Sequence, residues 1–260
     1  MATSRGEFLK ALGHSMAGLV ASTGVGAAAE ALAKQIAPEE PGEERKEDKP
    51  VSVEETQPAG EKFIHHGPET GRRVALTFDD GPIPGVTEPI LEALKQRGMR
   101  ATFFMVGREV AAAMELAGRV AAEGHEIGNH SFTHPKLTLL ADREVEGEIQ
   151  KTQEILAEVG VKPRWFRPPY GALWKGQAHM AKERGMGIVM WSADPGDWRQ
   201  PGEAKIVEGI LSQTVPGSII LCHDRYPQTA ACIGEVLDGL QARGFELVTL
   251  SELLAEPDAI

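Results

Sequence analysis

The sequence predicts an α/β fold: a distorted (β/α)7 barrel of parallel strands with outer helices. Three observations carry that expectation. Strand-like and helix-like segments alternate from about Arg72 to the end of the chain, which is the pattern of a parallel sheet covered by helices. The strand segments are continuous apolar runs rather than alternating ones, as expected for strands buried on both faces. No glycine-rich phosphate loop follows the first strand. Gly81-Pro82-Ile83-Pro84-Gly85 is too proline-rich to open a helix around a dinucleotide, so seven strands suit a closed or nearly closed barrel better than a flat doubly wound sheet.

The first strand, Val74-Ala75-Leu76-Thr77-Phe78, ends on Asp79 and Asp80 and is stopped by Gly81-Pro82. Thr87 to Lys95 has an N-cap threonine and helical apolar spacing, with Gly98 beyond it. Ala101 to Val106 is the second strand and Glu109 to Glu123 an alanine-rich helix closed by Gly124. Glu126-Ile127-Gly128 is a short third strand, and Asp142 to Val159 a long helix ending at Gly160. The fourth strand is expected over Pro163 to Pro168, a helix over Gln177 to Arg184, and the fifth strand over Gly187 to Trp191. A helix over Glu203 to Gln213 leads to the sixth strand, Ser218 to Cys222. A helix over Thr229 to Arg243 leads to the seventh, Phe245 to Leu250.

Two regions precede this domain, expected over 70–255. In residues 1–33, Arg5 and Lys10 come before an Ala/Gly-rich run, and Ala31-Leu32-Ala33 offers a small-x-small cleavage site. Ser4 to Lys10 resembles a twin-arginine export signal with Gly6 in place of the second arginine. An export segment is therefore expected, with an amphipathic N-terminal helix as the alternative. Residues 34–69 are expected to be a disordered linker. Pro38 to Lys62 carries nine acidic and four basic residues and four prolines, too little apolar surface to offset ordering entropy.

Composition narrows the function. The chain has 260 residues and a net charge of −11, which disfavours a nucleic-acid backbone as partner. No later stretch is long and apolar enough to span a bilayer. Two cysteines, Cys222 and Cys232, exclude a disulfide scaffold; buried thiols are expected, and spacing does not decide whether they bridge.

Active sites of parallel barrels lie beyond the C-terminal ends of the strands. The polar residues there are Asp79 and Asp80; Asn129, His130 and His134; Arg167 and Tyr170; Asp194, Asp197 and Trp198; and His223 and Asp224. His130 and His134 with one carboxylate make a His₂Asp set, the ligand type of a catalytic zinc site. Their spacing suits one face of a helical turn, and Pro135 makes a loop equally acceptable. Ser131 stands where a zinc-peptidase helix would need its glutamate. Amide hydrolysis also needs a base for the water and an acid for the leaving amine. The two adjacent aspartates can divide the first task, one as ligand and one as base. His223 is placed to be the acid, and Arg167 to orient a carboxylate.

These residues resemble the five motifs of polysaccharide deacetylases of carbohydrate esterase family four, the NodB homology domain. In order, they are Thr77-Phe78-Asp79-Asp80-Gly81-Pro82, His130-Ser131-Phe132-Thr133-His134, Arg167-Pro168-Pro169-Tyr170, Asp194-Pro195-Gly196-Asp197-Trp198 and Leu221-Cys222-His223. The resemblance covers about Val74 to Leu253. It implies Asp79 as general base, Asp80, His130 and His134 as metal ligands, and Arg167 as the group orienting Asp79. It implies the Tyr170 backbone N–H as an oxyanion donor and His223 as general acid with its pKa raised by Asp197. Trp198 and Leu221 would line the pocket for the acetyl methyl group.

The expectation is an exported, metal-dependent N-deacetylase of an N-acetylated polysaccharide, monomeric, with one divalent ion: zinc first, cobalt or nickel in the same ligands. Peptidoglycan is the first substrate, since an exported enzyme meets it first; chitin-like oligomers and exopolysaccharide follow. The rivals are a same-fold amidohydrolase on a small amide and a glycan-binding module without turnover. Trp165, Trp174 and Tyr226 lie near the rim in sequence; exposed there they would mark an open groove, and core positions are an equal alternative for them. Cys222 should point away from His223 because strand side chains alternate.

Overall fold

A computed structural model describes residues 63–255. The export segment expected over 1–33 and the linker up to residue 62 lie outside the described residues. In chain order the elements are β1 (Arg73–Asp79), α1 (Thr87–Gln96), β2 (Thr102–Met105), α2 (Gly107–Ala112), α3 (Met114–Ala122) and β3 (Glu126–Asn129). Next come α4 (Asp142–Glu158), β4 (Trp165–Phe166), α5 (Lys175–Glu183), β5 (Gly187–Ile188) and α6 (Glu203–Gln213). The chain ends with β6 (Ile219–His223), α7 (Pro227–Ala242), β7 (Glu246–Leu247) and α8 (Leu250–Leu254).

All strand pairs are parallel, in the order β5-β4-β3-β2-β1-β6, with β7 beside the start of β1. The curled sheet is closed by isolated bridges rather than by a ladder. Ala193 bridges Ile220 beyond the end of β5, and Ile64 bridges Val189. The Ser192 N–H donates to the Ile219 carbonyl and the Leu221 N–H to the Ala193 carbonyl, both at 2.9 Å. Residues 64 and 66, within the segment expected as linker, thus hydrogen-bond to the sheet region: His66 bridges Ser218.

Strand alternation sorts the side chains. Val74, Leu76 and Phe78 of β1 pack outward with Ile90 and Leu94 of α1 and Val236 of α7. Phe78 stacks on Phe103, ring centroids 5.1 Å apart. Ala75 packs inward with Phe104, Val189 and Ile219, and Thr77 and Asp79 share that inner face. Full burial of each large apolar side chain stabilises by about 2 kcal/mol, so the larger outer layer holds the sheet while the inner face mixes apolar residues with Thr77 and Asp79.

The elements differ from expectation in several places. The fourth, fifth and seventh strands shrink to two residues each, because only that much of each apolar run finds a partner ladder. The helix expected over Glu109 to Glu123 is two helices, broken where Ala113 leaves helical geometry (φ −140°, ψ 51°). Leu250 begins α8 instead of ending a strand, since Thr249 and Glu252 cap one another: the Thr249 N–H donates to Glu252 Oε2 at 2.9 Å. Both cysteines are buried and free.

Candidate active site

β1 and β6 are in register with Asp79 opposite His223, so the two side chains emerge together at the C-terminal edge of the sheet. Arg167, wholly buried at the end of β4, crosses the barrel interior to meet Asp79. Its Nη1 donates to Asp79 Oδ1 at 2.7 Å and to Thr77 Oγ1 at 2.8 Å, and Nη2 donates to the Met190 carbonyl at 2.8 Å. Its guanidinium lies 4.1 Å from the Phe104 ring centroid. A buried cation of this kind is tolerated only when paired and hydrogen-bonded. The pairing occupies Asp79 Oδ1 and leaves Oδ2 facing the neighbouring histidine, 3.6 Å from His130 Nε2.

Asp80 turns the other way. Its backbone is left-handed, φ +82°, a conformation that costs energy outside glycine. Its Oδ1 lies 3.1 Å from His134 Nε2 and 3.6 Å from His130 Nε2. These contacts lack hydrogen-bond geometry, and Oδ1 is buried without a hydrogen-bond partner among the described residues. His130 Nδ1 lies 2.8 Å from the Arg167 carbonyl. A carbonyl only accepts, so Nδ1 carries the proton and Nε2 presents a lone pair. Burial pulls the His130 pKa down to about 4, which keeps the ring neutral. Burial opposes charge on Asp80, but the His134 contact and the nearby histidines outweigh it and hold its pKa well below the usual carboxylate range. One atom from each of Asp80, His130 and His134 falls within 4.8 Å of the others. Two imidazoles and a carboxylate with an orphaned buried oxygen fit a divalent metal, and the set could hold one.

The histidine segment is a loop, not a helical turn. Ser131 and His134 both have positive φ, 64° and 61°. Glu148 of α4 holds that loop: Oε2 accepts from the Phe132 N–H at 2.8 Å and the Thr133 N–H at 2.7 Å, and Oε1 from the Thr133 hydroxyl at 2.8 Å. The sequence reading missed Glu148, because a glutamate in mid-helix carries no local sign of what it faces.

Across the rim, His223 Nδ1 lies 2.7 Å from Asp197 Oδ1. Asp197 Oδ2 accepts from the His223 N–H and the Thr229 hydroxyl, both at 2.8 Å. Burial lowers the His223 pKa, but the Asp197 hydrogen bond and charge outweigh it and raise it to about 9. His223 is therefore a cation near neutrality.

The remaining expected residues fall into three places. Tyr170 (φ +59°) packs edge-on against His134, ring centroids 4.8 Å apart. Leu221 is buried on the His223 side of β6, whereas Cys222 joins the outer core. Trp198 is exposed, with the Arg199 guanidinium 4.4 Å over its ring. Trp174 and Tyr226 stand at the rim; Tyr226 packs edge-on against His223 at 5.8 Å. Trp165 does not. It opens β4 at the opposite end of the sheet, where its indole N–H donates to Glu126 Oε1 and Ser251 Oγ, both at 3.0 Å. Asp194 caps its own loop through the Gly196 N–H. Asp224 is buried beneath the Asp80–Ile83 turn rather than facing the rim.

Comparison with known proteins agrees with this geometry. The family model described as "Polysaccharide deacetylase" matches residues 66–189. The peptidoglycan-N-acetylglucosamine deacetylase PgdA of Listeria monocytogenes is 40% identical over 189 residues, 72% of this chain and 40% of that protein. The chain thus spans less than half the length of that relative. The chitooligosaccharide deacetylase of Bradyrhizobium sp. is 37% identical over 206 residues, 73% of this chain and 94% of that protein. The crystal structure of the Bc1960 peptidoglycan N-acetylglucosamine deacetylase superposes with a TM-score of 0.71 at 36% identity, covering 74% of this chain and 92% of that one. With matches of this identity and coverage and the same curled parallel sheet, the chain belongs to the polysaccharide deacetylase family of carbohydrate esterase family four.

Proposed function

We propose that the protein is a metal-dependent hydrolase that removes N-acetyl groups from a polysaccharide. The observation that carries this reading is one rim holding three kinds of group: a Asp80–His130–His134 donor set, a carboxylate with a spare oxygen at Asp79, and a protonated imidazole at His223. A divalent ion in the donor set acidifies water and polarises the amide carbonyl. Asp79 Oδ2 accepts the proton of the attacking water while Arg167 holds Oδ1. The Tyr170 N–H donates to the developing oxyanion. His223, held by Asp197, gives its Nε2 proton to the departing amine as the C–N bond breaks, releasing acetate and a free amino sugar. Leu221 and Trp198 enclose the acetyl methyl group. A pure binding module would need neither a base nor an acid.

The polymer is favoured over a small amide by where the apolar surface lies. Leu139, Tyr170, Trp174 and Trp198 are four of the five large exposed apolar side chains among the described residues, and all four follow the C-terminal ends of β3, β4 or the fifth-strand segment. Peptidoglycan and chitin-like oligomers are the substrate classes acted on by the named relatives, and peptidoglycan is the first choice for an exported enzyme. Zinc is the first metal, with cobalt and nickel fitting the same donors. Export through residues 1–33, a tether over 34–62 and a monomeric state belong to the same proposal; no helix among the described residues is long and apolar enough to cross a membrane. The test is acetate release from N-acetylglucosamine oligomers and from purified peptidoglycan, with and without chelator. Chelator-sensitive acetate supports the reading; none from any N-acetylated glycan overturns it. Cell fractionation tests export.

A further inference from the structure

We infer that Asp224 is a positioning residue, whose buried carboxylate pins the Asp80–Ile83 turn from beneath and so sets where Asp80 presents its oxygen. The inference rests on the metal reading of Asp80, His130 and His134. Asp224 follows His223 in the chain, yet it points the other way and is fully buried. Three contacts tie it to the turn. Its backbone N–H donates to the Asp79 carbonyl at 3.2 Å. Its Oδ2 accepts the Thr87 hydroxyl proton at 2.7 Å, and that hydroxyl in turn accepts from the Ile83 N–H at 2.8 Å. The carboxylate lies flat against Gly81, where a Cβ would sit 2.0 Å from Oδ2 and 2.3 Å from Oδ1.

The turn needs such support. Asp80 is left-handed, φ +82°, and a strained non-glycine backbone persists only where its surroundings over-determine it. Asp224 and Thr87 hold the chain on both sides of that residue, at Asp79 and at Ile83. The arrangement is not optimised for stability: Asp224 Oδ1 is buried without a hydrogen-bond partner among the described residues, a cost that an apolar residue would avoid. A group acting through the ligand it positions typically changes metal affinity or turnover by about 10–100-fold.

The experiment measures zinc affinity of purified variants by competition with a chromophoric chelator, alongside circular dichroism and acetate release at saturating zinc. Asp224→Ala is expected to fold, to bind zinc about tenfold more weakly, and to lose kcat with KM little changed. Asp224→Asn keeps an oxygen for the Thr87 hydroxyl and is expected to retain most of the affinity. Thr87→Val cuts the link to Ile83 and should weaken zinc in the same direction. A folded Asp224→Ala with parental zinc affinity overturns the inference. Equal losses in Asp224→Ala and Asp224→Asn also overturn it, since charge and not position would then be responsible. If Asp224→Ala does not fold, Thr87→Val decides, and unchanged affinity there overturns it. Zinc affinity remains readable even if the parent releases no acetate from glycans, so failure of the proposed activity and failure of this inference are distinguishable.

Discussion

His130 and His223 are the same side chain at two ends of one site, both largely buried, and they are held in opposite charge states. Burial pushes both toward neutrality. The difference lies in what each Nδ1 meets. His130 faces a backbone carbonyl 2.8 Å away and stays neutral, with a pKa of about 4. His223 faces the Asp197 carboxylate at 2.7 Å and is raised to about 9. A dipole orients an imidazole; a buried charge also protonates it. One histidine is thereby made a lone-pair donor and the other a proton donor. Asp79 and Asp80 differ in the same way: one is held by the Arg167 guanidinium, the other faces the two imidazoles.

The largest test removes the neutral end. Stripping the metal, or Asp80→Ala, should abolish acetate release, with metal loss read by elemental analysis. Asp79→Asn should keep the metal and lose turnover by about 10²–10⁴-fold, the usual worth of a general base. Equal metal loss in both variants would erase the distinction between the two aspartates. At the cationic end, His223→Ala should cost a similar about 10²–10⁴-fold in kcat.

Asp197→Asn sharpens the comparison. The acid form of His223 is present below its pKa, so activity should fall as pH rises through about 9. Replacing Asp197 removes the hydrogen bond and charge that raise that pKa most, leaving the burial that lowers it and the weaker pull of Asp79 and Asp80. The alkaline limb of the kcat/KM profile should then move to lower pH. A limb that stays in place would mean that Asp197 does not set the charge of His223.

Smaller effects are expected further out. Glu148→Ala removes three hydrogen bonds from the loop between His130 and His134 and should weaken metal binding by about tenfold, measured by chelator competition. Trp174→Ala removes an exposed ring whose indole N–H is anchored on the Thr138 carbonyl at 2.8 Å. It should cost about 1 kcal/mol, roughly fivefold in kcat/KM, on long oligomers and little on a disaccharide. An equal loss on both would argue for a small-molecule pocket.

Local signals were strong where the chemistry is local. The apolar run before Asp79, the acidic pair, the His130–His134 spacing and the Arg167-Pro168-Pro169-Tyr170 turn are visible in the sequence because each is a continuous stretch. Trp165 misled for the opposite reason: it stands two residues before Arg167 at the start of a short strand, and hydropathy does not say at which end an aromatic sits. Leu250 reads as strand by composition, yet Thr249 and Glu252 cap a helix there.

The sequence by itself determined the βα alternation, the strand-end placement of the polar residues and the family, since apolar periodicity and contiguous motifs are properties of the chain. Tertiary structure alone decided how the sheet closes, through single bridges at Ile64 and Ala193. It alone decided that Glu148 holds the histidine loop and that Asp224 lies under the turn while its neighbour His223 faces the rim. Each of these is a contact between residues far apart in the chain, and pairing of that kind is set by register, burial and hydrogen-bond geometry that no local pattern encodes.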